Sequence, residues 1–157
     1  FDQRFVALDV DDDFIGEILH WQYPEIRFIQ NGRNLGMGAG NNAGLRMAAG
    51  RYLVVMNPDT IAQPDTFRKL YDYMEANPKA GVVGPKQFNP DGTVQDSCFR
   101  WPGLLMPLYR RTPLGIFSFA QADNDRFVMR DFDHNSTRTV DWLLGSFLFQ
   151  RFFPGTA

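Results

Sequence analysis

Apolar residues arrive along this chain in short runs, and the runs alternate between strand and helix spacing. Phe5-Val-Ala-Leu, closed by Asp9, reads as a buried strand. Phe14, Ile15, Ile18 and Leu19 then repeat at helical spacing, with Asp12 or Asp13 as N-cap and Pro24 past the helix end. Ile26-Arg-Phe-Ile29 is a second strand, stopped by Asn31-Gly32. Glycines 36, 38, 40 and 44 argue against a regular element at the start of the next stretch. Ala43, Ala48 and Ala49 further on suit a helix packed close to a sheet, with Gly50 as its C′ residue. Arg51-Tyr-Leu-Val-Val-Met56 is apolar on both faces, which suits the interior of a parallel sheet. Pro58 ends its ladder.

A helix is predicted from about Pro64 to Ala76, with Phe67, Leu70, Tyr71 and Met74 as its buried face. Asn77-Pro78 stops it, Gly81-Val-Val-Gly-Pro85 is a short strand, and residues 88–97 form a hairpin around Asn89-Pro-Asp-Gly92. From Cys98 to about Asp125 the periodicity fails; Pro102, Pro107 and Pro113 mark a long structured loop. Val140 to Phe149 closes the pattern as a strand or broken strand. Strands and helices that alternate over the first 85 residues predict an α/β sheet with crossover helices.

Composition narrows the class. At 157 residues the chain is one domain, long enough to bury roughly 70% of its unfolded surface. Hydrophobic residues make up 44% and charged residues 22%, as in ordinary globular proteins. The formal charge is −2 with no long like-charge run, so nothing here pulls toward nucleic acid. The single Cys98 forms no internal disulfide, no apolar run is long enough to span a membrane, and a cytoplasmic setting is expected.

Four groups of residues carry candidate chemistry. Gly38-Ala-Gly40-Asn-Asn-Ala43 satisfies a dinucleotide fingerprint, with Asp59 about twenty residues on, but it follows its strand too late to place a pyrophosphate at a helix start. That leaves a dinucleotide oxidoreductase as a minor alternative. Asn57-Pro-Asp59 puts a hard carboxylate at the C-terminal end of a strand, where open sheets bind ligands and where Mg²⁺ or Mn²⁺ can be held. An ordinary turn has the same composition. Asp9, Asp11, Asp12 and Asp13 crowd four acids together, and Asp9 ends a strand. Phe99-Arg100-Trp101-Pro102 and Arg110-Arg111 combine phosphate-binding forks with aromatic surface, or pin a loop by burial. His20 and His134 have no partner at ligand spacing.

Taken as an ordered series, these motifs resemble the family 2 glycosyltransferases, and within them the rhamnosyltransferase-like enzymes of bacterial polysaccharide biosynthesis. The series runs through Asn34-Leu-Gly-Met-Gly-Ala-Gly-Asn-Asn-Ala-Gly44, Gly50-Arg-Tyr-Leu-Val-Val-Met-Asn-Pro-Asp-Thr60, Val83-Gly-Pro-Lys86, Asn89-Pro-Asp-Gly92, Arg100-Trp-Pro, Arg110-Arg-Thr-Pro-Leu-Gly115 and Val140-Asp-Trp-Leu-Leu-Gly-Ser146. It covers about residues 5–151. The resemblance implies a GT-A fold, a mostly parallel sheet flanked by helices, with the hairpin and long loop toward the C-terminus. It implies a nucleotide-sugar and metal part over about 1–97 and an acceptor part, incomplete, over about 98–157. It assigns Asp59, with Asn57, to the metal, and Asp9, Asn34, Gly36 and Asn57 to the nucleotide sugar. Arg100, Trp142, Gly145 and Ser146 are assigned to the donor-sugar and acceptor side.

The implied reaction is inverting transfer of a sugar from a dTDP- or UDP-sugar to a saccharide or lipid-linked acceptor, with Mg²⁺ or Mn²⁺. Without a membrane span the enzyme would work at most peripherally at the inner membrane face. The chain opens without Met, and the family's base segment, which lies downstream of the position of Gly145, is not visible. The sequence therefore reads as truncated at both ends. An unpaired sheet edge would then favour association with another chain. Phe1-Asp-Gln-Arg-Phe5 itself resembles the stretch that precedes that base, which makes Asp11 and Asp13 candidates for it. The alternative is a non-catalytic nucleotide- or sugar-binding fragment.

Overall fold

The computed structural model describes residues 4–8, 21–109 and 111–152. The elements run β1 (Arg4–Leu8), β2 (Ile26–Gln30), α1 (Met37–Met47), β3 (Tyr52–Met56), α2 (Thr66–Ala76) and β4 (Val82–Val83). After these come β5 (Cys98–Phe99), α3 (Met106–Tyr109), a 3₁₀ turn (Pro113–Ile116), α4 (Ser118–Phe127), β6 (Trp142–Leu143) and β7 (Phe147–Arg151). Strands β1 and β2 pair in parallel, Arg4 opposite Ile26 through Leu8 opposite Gln30. Strands β5 and β6 pair antiparallel. The remaining sheet has the order β3-β7-β4.

The architecture is α/β as expected, but the mostly parallel sheet is not what forms among the described residues. The Phe152 N–H donates to the Arg51 carbonyl at 2.9 Å and the Asn57 N–H to the Ser146 carbonyl at 2.8 Å. The low end of β3 therefore meets the high end of β7, and the two strands run in opposite directions. An apolar run shows that a strand is sheltered and leaves its partner open. Here one face of β3 is less sheltered than expected, since Leu53 is buried while Val54 and Met56 are each 40% exposed.

Two compact units divide the contacts, one drawn from 1–55 and 149–157, the other from 56–148. In the first, α1 lies beside β1. The Tyr52 ring stacks on Phe149 at 5.4 Å and carries the guanidiniums of Arg51 and Arg151 at 5.2 and 5.0 Å. Helix α1 begins inside the glycine cluster, earlier than its composition predicts, and ends at Met47. Ala48 is its extended C-cap, so Gly50 is not the C′ residue. Gly40 is buried within the helix. The glycines serve here as small helical residues.

In the second unit, α2 presents the predicted face. Met74 is fully buried, Phe67, Leu70 and Tyr71 are half-buried, and Phe67 tilts against buried Phe147 at 5.8 Å. The helix starts at Thr66, and Asp65 before it takes a left-handed φ of 65°, a conformation Asp tolerates. The hairpin forms as a tight turn with one bridge, Phe88 opposite Val94. The predicted closing strand is broken into β6 and β7.

The predicted long loop is the main correction, because it holds α3, the 3₁₀ turn and α4. Phe99, Met106, Tyr109, Ala120, Phe127 and Val128 form one buried cluster, with Leu144 against it. Helix α4 escapes a periodicity reading because Asp123 and Asn124 stand between its buried Ala120 and Phe127. The Tyr109 hydroxyl donates to Asp123, which lets this part of the helix bear polar groups. Replacing Phe147, which is 2% exposed, with Ala should cost about 3–5 kcal/mol. Urea unfolding of the full chain measures it, and a cost below about 0.5 kcal/mol, the range of surface substitutions, would mean that Phe147 is not core.

Candidate functional site

The Asn57–Thr60 turn is built by chemistry at its first two residues. Pro58 has no N–H, so the ladder cannot continue past Asn57. The Asn57 N–H is spent on the Ser146 carbonyl, and its own carbonyl accepts from Thr60 at 3.1 Å, closing the turn. Asp59 is left exposed at the tip and Asn57 half-buried at the base. The Ser146 Oγ and the Gln87 Oε1 lie 2.7 Å apart, the hydroxyl donating. Asn57 and Ser146, named for opposite sides of the reaction, are thus hydrogen-bonded neighbours.

Arg100 and Trp142 meet on the paired strands β5 and β6. The Phe99 and Trp142 rings stack at 4.2 Å, and the Trp142 indole N–H donates to the Arg100 carbonyl at 3.3 Å. One face of the indole is therefore covered. The Arg100 guanidinium is held by Asp131 at 2.7 Å, with Arg138 on the same carboxylate at 3.4 Å. The hydrogen bond from Arg100 is the main cause that lowers the Asp131 pKa from its ordinary 3.8. The Trp101 N–H donates to the Asp141 carboxylate at 2.7 Å, and the Leu144 N–H to the Ser97 carbonyl at 2.9 Å. This strip connects Arg100 and Trp142 by backbone to Gly145 and Ser146. Sequence reasoning missed Gln87, Asp131 and Asp141. Nothing local signals them, since each meets its partner only through the fold.

Asn34 and Gly36 sit together on their own unit. The Asn34 Oδ1 accepts the Gly36 N–H at 2.8 Å, just before α1. Gly36 has φ 77° and ψ 157°, a region essentially confined to glycine. Gly38 and Gly40 lie inside α1, not in a turn before it. The dinucleotide fingerprint therefore lacks its geometry. Asp9, Asp11, Asp12, Asp13, His20 and Arg110 lie outside the described residues.

Among the described residues no group of three His, Cys, Asp or Glu gathers to hold a metal. Asp59 with the Asn57 amide is a sparse donor set, a poor cage for a resident ion. It fits a Mg²⁺-like cation that keeps its waters and arrives on a substrate's phosphates. A cleft lined by Tyr109, Gly115, Gln121, Asn124 and Asp125 contains none of the sequence-assigned residues.

The chain is α/β and carries an exposed carboxylate, Asp59, in the turn that follows β3. The family model for glycosyl transferase family 2 matches residues 9–134, and the chain belongs to that family. The family carries the GT-A fold and takes a nucleotide-sugar donor and an acceptor. An N-acetylglucosaminyl-diphospho-decaprenol L-rhamnosyltransferase of Mycobacterium tuberculosis is 30% identical over 149 residues, 83% of this chain and 45% of that protein. A low-salt glycan biosynthesis hexosyltransferase of Haloferax volcanii is 28% identical over 111 residues, 63% of this chain and 36% of the relative. A glycosyltransferase of Methanocaldococcus jannaschii is 44% identical over 52 residues, 33% of this chain and 18% of the relative. The chain thus spans less than half the length of these relatives. No solved structure matches it significantly. No helix among the described residues is long and apolar enough to cross a membrane.

Two outcomes follow from the geometry. A Cβ at Gly36 would meet nothing within 4 Å, so the cost of Gly36→Ala is backbone strain alone, about 1–3 kcal/mol by urea unfolding. For Asp131, a lowered native pKa means that the Arg100 pair stabilises the fold above the ordinary value of 3.8 and is lost as pH falls through the lowered one. Asp131→Asn should therefore lower Tm at pH 7, and the difference from the parent should shrink toward zero on acidification. A difference that stays constant with pH would refute the pairing.

Proposed function

We propose that this chain is the donor-binding part of an inverting glycosyltransferase. It would move a sugar, with rhamnose the first candidate, from dTDP or UDP to a saccharide or lipid-linked acceptor. The observation that carries the reading is the hydrogen bond between Asn57 and Ser146. It joins the turn bearing Asp59 to the segment assigned to the acceptor side, so leaving group and nucleophile would meet across one backbone contact. The relative's name supports rhamnose and a decaprenol-linked acceptor. Such an acceptor sits in a membrane, which fits peripheral action at a membrane face.

In this reading the acceptor oxygen bonds to the anomeric carbon as that carbon's bond to the diphosphate oxygen breaks. The acceptor proton passes to a carboxylate, for which Asp11 and Asp13 are the candidates within the chain. Asp59 and Asn57 would hold Mg²⁺ or Mn²⁺, whose charge offsets that of the departing diphosphate. Asp9, Asn34 and Gly36 would line the nucleotide. Ser146, fixed by Gln87, would orient the acceptor side, and Trp142 would offer the indole face that Phe99 leaves open.

Thermal unfolding with dTDP, UDP, GDP and NAD, each with and without Mn²⁺, tests this. A ligand at 100 times its Kd should raise Tm by about 5–10 °C. The expected result is a metal-dependent shift with one nucleoside diphosphate, lost in Asp59→Asn. A shift with NAD alone would overturn the reading. Binding of the nucleotide with no transfer to any acceptor would favour a binding module without its base.

A further inference from the structure

Arg100 and Arg138 reach the same atom. The Arg100 Nη2 donates to the Asp131 Oδ2 at 2.7 Å, and the Arg138 Nη1 to that same oxygen at 3.4 Å. Each guanidinium is a planar fork of several N–H donors. Among the described residues neither fork has a second hydrogen-bond partner. Two positive charges thus meet one negative charge, and most of the donors around that carboxylate are unspent. Solvent reaches all three groups, since the side chains of Arg100, Arg138 and Asp131 are 29%, 41% and 51% exposed.

The neighbouring acids do not answer this surplus. Asp133 accepts from the Asn135 N–H at 3.0 Å and from its side-chain amide at 3.2 Å, with Lys86 on the Asn135 Oδ1 at 3.3 Å. Asp141 accepts from the Trp101 N–H at 2.7 Å. The arginines themselves are held in place. The Arg100 N–H donates to the Phe127 carbonyl at 3.0 Å, while its own carbonyl accepts from Trp142. The Arg138 guanidinium lies over the Phe132 ring, 5.6 Å from its centre. Asp131 stands between buried Met129 and His134, with φ of 54° and 55°. Left-handed backbone is uncommon at such residues and clusters at ligand clamps.

One fork satisfies a carboxylate, whereas two forks that converge on one point suit a group with more than two oxygens. We propose that Arg100 and Arg138 bind a phosphoryl group of the acceptor, and that Asp131 is the internal anion that keeps the two forks together before substrate arrives. The phosphoryl oxygens take the unspent donors, and the carboxylate competes with them for both guanidiniums. The acceptor is named, not the donor, because backbone contacts tie Arg100 and Trp142 to Gly145 and Ser146, while the donor diphosphate is given to Asp59 and Asn57. That naming rests on the sugar-transfer reading; the anion site itself rests on the arginines.

Calorimetric titration of the full chain with inorganic pyrophosphate in EDTA tests it, because chelation removes the metal on which the donor site depends. The parent should bind, more weakly as salt rises. Arg138→Gln should bind about tenfold more weakly, with unchanged circular dichroism. Arg138→Lys keeps the charge and loses the fork, so it should fall between the two, and it carries the comparison if Arg138→Gln does not fold. Asp131→Asn should bind pyrophosphate more tightly even as it lowers Tm, a gain that a merely bracing ion pair would not give. No binding by the parent, or equal binding by parent and Arg138 variant, overturns the proposal. Weaker binding by Asp131→Asn overturns the part given to Asp131. The Mn²⁺-dependent shift with a nucleoside diphosphate should survive in Arg138→Gln. Its loss there would assign the pair to the donor's leaving group and overturn the proposal too. Absence of that shift in the parent, with pyrophosphate binding intact, would unseat the sugar-transfer reading and not the anion site.

Discussion

Proline at position 58 takes away the backbone donor that would carry β3 onward, so Asn57 is the last residue of that run able to reach its neighbour. Its N–H goes to the Ser146 carbonyl. The turn that follows then has a fixed base and a free tip, and Asp59 stands at the tip. Ser146, with its carbonyl held by the turn and its hydroxyl donated to Gln87, is fixed from two sides. A single missing hydrogen thus sets where the chain turns, which carboxylate faces solvent and which residue of the closing segment lies alongside.

Elements were legible in the sequence where burial is one-sided. Helix α2 shows its period because Phe67, Leu70, Tyr71 and Met74 are all buried or half-buried at helical spacing. Helix α4 hides its period because Asp123, on its inner side, is met by the Tyr109 hydroxyl and needs no apolar replacement. Helix α1 was obscured by its own glycines, which are poor helix formers in isolation but let the chain pack closely at Gly40. The strand character of residues 52–56 was plain, yet the partner was not, since β7 lies far along the chain and nothing in either strand names the other. The same distance explains the site. Asn57, Asp59 and Ser146 were singled out by motif and resemblance, while their contact and the roles of Gln87 and Asp131 emerge only when remote segments meet.

Around β5 and β6 the aromatic side chains serve as structural joints. Phe99 touches both Phe127 and Trp142, so the strand bearing Arg100 is joined to α4 and to β6 by one ring. Each such ring adds burial and a preferred geometry. A substitution at Phe99 would therefore move Arg100 and Trp142 together, and any assignment of function to either must allow for that shared footing.

The bond between Asn57 and Ser146 also makes neighbours of the two ends of the segment between them. The entropy of closing such a loop, about 90 residues long, grows only with the logarithm of its length, so lengthening it by half adds less than about 0.5 kcal/mol. Closure entropy therefore sets no tight limit on the length of the segment; its extent is set by packing within it, such as Phe99 against Phe127. A lineage could lengthen an exposed loop of the segment without rebuilding the turn at its base.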